Sequence, residues 1–128
     1  MLRTSLPVNL GVRLKVLAEG KMQPIRTEQV PLVTFLLRKG GLSNAVDSLQ
    51  AQAMDDGGMG SMAFATCSTD RTMGSLVAEC VFDDQDGTLV LASLILNMQG
   101  EPLEIDVFKT DFSTLIRWPS AEHIRERS

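Results

Sequence analysis

Nine residues, MDDGGMGSM from Met54 to Met62, set two aspartates against three glycines and a serine. Three chemistries fit such a stretch. Glycine-rich backbone can turn its N–H groups toward a phosphate. Carboxylates can hold a metal ion. The glycines can also simply turn a hairpin at positive φ, with Asp55 bonding local N–H groups. A Walker loop requires a lysine and a serine or threonine directly after its last glycine. Here Gly60 is followed by Ser61 and no lysine is near. A dinucleotide loop must open a helix, and the stretch after Gly60 reads as a strand. Asp55 and Asp56 would repel an anion, and no third metal ligand lies close in sequence. A structural turn is the leading reading. If the loop instead takes a small molecule, its ligand-binding set is Asp55, Asp56, Gly57, Gly58, Gly60 and Ser61.

The other candidates are weaker chemically. DDQDG, ending at Gly87, invites a calcium reading, but the spacing fails. Counting back from Gly87 gives Asp86, Asp84 and Phe82, and the twelfth position is Ser93 rather than glutamate. Cys67 lies near Ser68, Asp70 and Arg71, yet a nucleophilic cysteine needs a base, and His123, the single histidine, sits in a charged tail. Cys80 reads as a core residue. Two separated cysteines and one histidine do not make an ordinary zinc site, so neither metal nor cofactor is expected. Glu79, Glu104 and Asp106 can share one sheet face, either as a solvated acidic surface or as paired carboxylates for acid–base work. The surface is the expectation, and no catalytic residue is assigned. Arg117 and Trp118 are residue types favoured at interface centres. With Glu79, Glu104 and Asp106 they form the candidate partner-binding set. The alternative for Trp118 is a ring that caps the core.

A chain of 128 residues suits one domain, and 44% apolar residues suffice for a core without disulfides. The formal net charge is −4 and no Lys/Arg cluster occurs. Nucleic-acid binding draws on phosphate neutralisation, so that class is set aside. An acidic protein suits a basic protein partner. No apolar run of about 18 residues marks a membrane span. Arg13 and Lys15 interrupt what would otherwise be a signal-peptide apolar region. A cytoplasmic protein with reduced thiols is expected.

Elements must position these groups. Leu6, Val8, Leu10, Val12, Leu14 and Val16 alternate with Pro7, Asn9, Gly11, Arg13 and Lys15, the period of a half-buried edge strand. Met22 reads as an alternative start, which makes residues 1–21 an added arm. Val30, Val33, Leu36 and Leu37 predict a helix over about 28–38, with Thr27 as N-cap and a stop at Gly40. A helical turn then passes into a strand leading to Asp55. After Gly60 the chain reads as an antiparallel meander. Leu76, Ala78, Cys80 and Phe82 take one face of its second strand, and TLVLASLIL forms a central strand. Leu103, Ile105 and Val107 point inward, with Glu104 and Asp106 outward. A last helical turn follows Pro119, with Ser120 as its cap.

The strings DDGGMGS, AECVFDDQDG and LEIDVFKTDFSTLIRWP together resemble an uncharacterised family of small bacterial proteins. Its members carry a DGGMGS-like loop and a C-terminal motif like DFSPLIRYP. The resemblance runs from about Met22 to Pro119, with Phe108 where Trp is common and Thr114 where Pro is common. In size and charge such proteins are similar to immunity proteins and to products of mobile gene cassettes. The resemblance implies an α+β fold and puts weight on Asp111, Phe112 and Ser113, and it brings no assigned chemistry.

These readings converge on an arm, residues 1–21, followed by one α+β domain, residues 22–128. The domain is an N-terminal helix packed on an antiparallel meander of about four to six strands. The arm's apolar face and unpaired edge predict a homodimer. The expected function is non-catalytic binding of a protein partner, immunity-like, through an acidic surface. The alternative is a small-ligand-binding protein or enzyme using the loop from Asp55 to Ser61.

Overall fold

A computed structural model describes residues 16–17, 21–69 and 71–127. The alternating residues before Val16 lie outside the described residues. The elements run β1 (Val16–Leu17), β2 (Gln23–Pro24), a 3-10 turn (Thr27–Gln29), α1 (Val30–Lys39), a 3-10 turn (Val46–Ser48), β3 (Gln50–Asp55), β4 (Met62–Phe64), β5 (Met73–Asp83), β6 (Leu89–Asn97), β7 (Pro102–Lys109), a 3-10 turn (Ala121–His123) and β8 (Arg125–Glu126). The fold is α+β, with one helix longer than a single turn among the described residues.

The helix enters through the 3-10 turn, which Arg26 rather than Thr27 caps, and Gln29 takes the N-cap position of α1. The Arg26 N–H donates to Gln29 Oε1 at 3.0 Å. Pro31 is accommodated because it falls in the first turn of α1. The far end closes as a Schellman-type stop. Leu42 N–H donates to Leu37 O at 2.9 Å and Gly41 N–H to Arg38 O at 3.0 Å, with Gly41 at φ +76°. Leu32, Val33, Leu36 and Leu37 form the buried stripe.

The sheet is wider than expected. Among the described residues eight strands pair in the order β1-β3-β4-β7-β6-β5-β8, with β2 also on β3. The excess over six comes from β1, β2 and β8, which are two residues long and too short to carry a hydrophobic period. The meander holds for β5, β6 and β7, but β4 pairs with β7 and not with β5. The hairpin of β3 and β4 therefore joins the opposite edge of the meander. Val16–Leu17 pairs antiparallel with Met54–Asp55 of the same chain.

One face of the sheet packs on α1. Met62, Phe64, Ala78, Cys80, Phe82, Val90, Ala92, Leu94, Ile105 and Val107 form one cluster with the helix stripe. Burial pushes the Cys80 thiol up to about 12, so it stays protonated and inert in the core. Cys67 is exposed. Leu76 departs from the expected inner row and is 53% exposed. The cause is a register shift between Leu76 and Ala78, where β5 spends an extra residue against β6. Such a bulge resets the alternation, and Val77 turns to the core beside Ala78. No helix among the described residues is long and apolar enough to cross a membrane.

Candidate functional site

Parts of the three strings DDGGMGS, AECVFDDQDG and LEIDVFKTDFSTLIRWP meet at one end of the sheet. Lys109 and Asp84 make the junction. Lys109 continues the inward row of Ile105 and Val107 on β7, and Asp84 follows Cys80 and Phe82 from β5, so both charges arrive inside. Their side chains have no exposed surface, and Lys109 Nζ lies 2.9 Å from Asp84 Oδ2. The ammonium also donates to Asp86 Oδ2 at 2.8 Å and to Thr114 O at 3.2 Å, which uses its three protons.

Asp84 is equally complete. Its Oδ2 also accepts from Ile116 N–H at 2.8 Å, and its Oδ1 from Gln85 N–H at 2.7 Å and Arg117 N–H at 3.0 Å. Burial works to raise this carboxyl, but the Lys109 bond and the three N–H donors outweigh it and hold it below the ordinary range. Burial likewise works against the Lys109 charge, and the bonds to Asp86 and Asp84 overcome it and raise the ammonium above its usual value. One buried ion pair thus ties β5, β7 and the strap from Thr114 to Arg117 together.

The strap then closes over the glycine loop. Thr114 Oγ1 donates to Gly57 O at 3.2 Å and Leu115 N–H to Gly58 O at 3.0 Å. Gly57, Gly58 and Gly60 sit at φ +76°, +80° and +111°. The internal cap is Asp56, not Asp55. Its carboxylate oxygens accept from Met59 N–H at 3.1 Å and Ser61 N–H at 3.0 Å. Asp55 ends β3 and is exposed. Ser61 is buried, accepting from Val107 N–H at 2.8 Å and donating to Val107 O at 3.2 Å, so its hydroxyl stands in for a strand partner. The loop's glycines thus face the strap, and the Asp56 oxygens are already bonded to its backbone. A cleft of about 170 Å³ beside the loop is lined by Arg26, Gln52, Asp56, Gly60, Ser61 and Trp118, among others. That is below the roughly 300 Å³ at which small-molecule pockets begin. No group of three or more His, Cys, Asp or Glu among the described residues is placed to hold a metal ion.

The partner-binding candidates divide between two places. Glu79, Ser93 and Asp106 stand side by side across β5, β6 and β7 on the face turned away from α1. Ser93 Oγ donates to Glu79 Oε2 at 3.4 Å, and Arg127 reaches the same oxygen at 3.1 Å. Glu104 occupies that face one row on, opposite Ile95, but it is wholly buried rather than solvated. Arg117 and Trp118 lie on the strap instead, and Trp118 packs toward the core and over Gly60.

Sequence reading passed over the row next to the carboxylates. Val81, Leu91 and Phe108 are cross-strand neighbours on the same open face. Phe112 extends them, its ring 5.1 Å from that of Phe108 in an edge-to-face contact. Phe112 is 71% exposed and stands at φ +66°, the one non-glycine residue at positive φ among those described. Its turn is locked by Asp111, whose Oδ1 accepts from Ser113 N–H at 3.0 Å and from the Ser113 hydroxyl at 2.6 Å. The signal was the Asp-x-Ser pattern, which favours such a turn but does not say where the middle side chain points.

No curated protein and no solved structure matches the chain. Residues 22–119 match the model of a domain of unknown function, DUF6984, a span that contains the glycine loop, the Asp84–Lys109 pair and the strap down to Pro119. The chain belongs to that family.

Proposed function

We propose that the protein is a non-catalytic binding module that takes a protein partner on the sheet face turned away from α1. Phe112 carries this reading. A bulky residue at positive φ costs on the order of 1 kcal/mol or more. An exposed ring also forgoes about 2 kcal/mol of burial. The fold bears both costs to hold an aromatic side chain out to solvent, and it locks the turn with Asp111 and Ser113. Strain at an exposed aromatic is better explained by contact with another molecule than by the stability of this one. Val81, Leu91 and Phe108 widen the apolar surface, and Asp106 and Glu79 border it. The matching partner presents apolar side chains flanked by lysine or arginine, in keeping with the net charge of −4.

A photo-crosslinking amino acid at position 112 tests this in cells that make the protein. The expected result is a discrete adduct absent when the probe stands at Met98, which is exposed at the β6–β7 turn at the other end of the sheet. The adduct should also disappear in competition with unmodified protein but not with F112S. Equal labelling from positions 112 and 98 would defeat the proposal. F112S itself should keep the melting temperature, because the ring it removes is largely exposed and serine retains the same Cβ at the positive φ.

The same reading assigns residues 1–21 to self-association, through the alternating Leu and Val side chains from Leu6 to Val16. Light scattering should give a dimer for the full chain and a monomer for residues 22–128. A monomeric full chain at tens of micromolar ends this part of the reading, and equal dimers would acquit the arm.

A further inference from the structure

Beside the core-packed Trp118, the strap that crosses the glycine loop carries polar side chains for which the fold has no evident use. Arg117, Trp118, Ser120 and His123 line, with Asp83 and Gln85, a groove of about 370 Å³. Its backbone is set firmly. Asp84 holds the N–H groups of Ile116 and Arg117 at 2.8 and 3.0 Å, and Pro119 is buried. Arg117, Ser120 and His123 project from this segment with polar, exposed side chains. Arg117 makes no ion pair among the described residues. Ser120 does not cap the 3-10 turn that follows it, and its hydroxyl lies 2.7 Å from His123 Nδ1 instead. Whichever atom carries the shared proton, the pair keeps one donor for a visitor. If Ser120 donates to Nδ1, the outer ring nitrogen carries a hydrogen. If Nδ1 donates, the hydroxyl hydrogen is free.

We propose that this groove binds a phosphate monoester. The Arg117 fork matches two phosphate oxygens and the Ser120–His123 pair supplies a donor for a third, while Trp118 and Pro119 flank the organic part of the ester. A carboxylate offers two oxygens and uses less of this set. The carboxylate in the groove, Asp83, does not stand alone against the anion, because Arg125 lies 3.5 Å from it. A small free ester and a phosphorylated side chain of another protein share this chemistry.

Trp118 is the sole tryptophan and the chain has no tyrosine, so intrinsic fluorescence reports the surroundings of this one ring. The ring lines the groove on one side and the glycine-loop cleft on the other, and variants of the groove residues assign the change to the groove. The full chain is titrated with O-phosphoserine, a short phosphoserine peptide and aspartate at constant ionic strength. A saturable change with the phosphorylated probes and none with aspartate is expected. R117Q and the double variant S120A/H123Q should each weaken binding by about tenfold or more, as loss of a charge-assisted contact does. Should R117Q fail to keep its melting temperature, the double variant decides. A peptide that binds more tightly than O-phosphoserine supports a protein-borne phosphate, and equal binding supports a small free ester. The proposal is overturned by an unsaturable response, by an equal response to aspartate, or by variants that bind as the parent does. F112S should titrate unchanged, so failure here and failure of the partner face are separate outcomes.

Discussion

D84A should lose about 3–5 kcal/mol of folding stability, the usual consequence of removing one partner from a buried ion pair. For a domain of this size that lowers the melting temperature by more than roughly 10 °C. Two effects combine. The substitution strands the Lys109 ammonium, whose side chain has no exposed surface. It also removes the acceptor of the Gln85, Ile116 and Arg117 N–H groups, so the strap loses its anchor. D84N separates the two, because it keeps the shape and one acceptor oxygen while deleting the charge, and it should fall between the parent and D84A. The double variant D84N/K109M tests the coupling. With no charge left inside, it should be more stable than D84A. Urea denaturation of the four proteins gives the comparison. A D84A variant within about 0.5 kcal/mol of the parent would show that the pair is not what holds the strap, since that is the range of an ordinary surface substitution.

The pH dependence follows from the same network. Asp84, Asp86, Asp111 and Glu101 are all held below the ordinary carboxylate range, each by hydrogen bonds to its charged form. A carboxyl depressed in the folded state binds protons more weakly there than in the unfolded chain. Its stabilisation is complete above the ordinary carboxylate value of about 4 and is lost as pH falls through the lower folded value. Lys109 is raised instead, so its contribution is complete below the usual lysine value of about 10.4 and is lost only as pH rises through the higher folded one. The urea midpoint should therefore fall steeply on the acid side, and D84N should flatten that fall.

Much of this fold was legible in the residues because it rests on period. Val33, Leu36 and Leu37 of the helix stripe and the inner row Ile105 and Val107 lie where helical spacing and alternation put them, while Leu32 takes the buried place expected of Val30, which is only half-buried. What escaped was set by pairing. Nothing local to Met62–Phe64 says that it will join Ile105 rather than β5, and β8 gains its identity only by meeting Cys80 and Val81. The Leu76 error came from extending a strict period through a bulge. The buried ion pair is the more instructive miss. Lys109 follows Ile105 and Val107 at the inward period, and Asp84 follows Cys80 and Phe82 in the same way, so two opposite charges on inward registers were visible in the sequence. Calcium spacing and a turn between strands are the readings that DDQDG invites, and neither asks where Asp84 points. Asp56 was missed in favour of Asp55 because the capping geometry of a three-glycine loop depends on which glycine turns, and all of them sit at positive φ.

That loop carries the second large effect. G60A should cost about 2–4 kcal/mol, well beyond the same change at Gly57. At φ +111° Gly60 stands outside the left-handed region that an L-residue can visit at modest cost. A methyl there would also lie 3.0 Å from Trp118 Cη2 and 3.3 Å from Leu115 Cδ2, so the ring must move or the loop must open. Gly58, at φ +80° with Thr114 Cγ2 3.0 Å from the added carbon, should be intermediate, since a threonine methyl yields more easily than an indole. Gly57, at φ +76° with nothing within 4 Å, isolates the backbone term of about 1 kcal/mol. Melting temperatures should fall in the order G57A, G58A, G60A. Trp118 makes the assignment independent of stability, because the only tryptophan should shift its emission to the red in G60A and not in G57A. Equal melting temperatures for the three variants, with unchanged emission, would mean that the glycines serve only the turn. The graded result would mean that they are there to let the strap lie flat, and that the loop and the C-terminal motif are two halves of one contact.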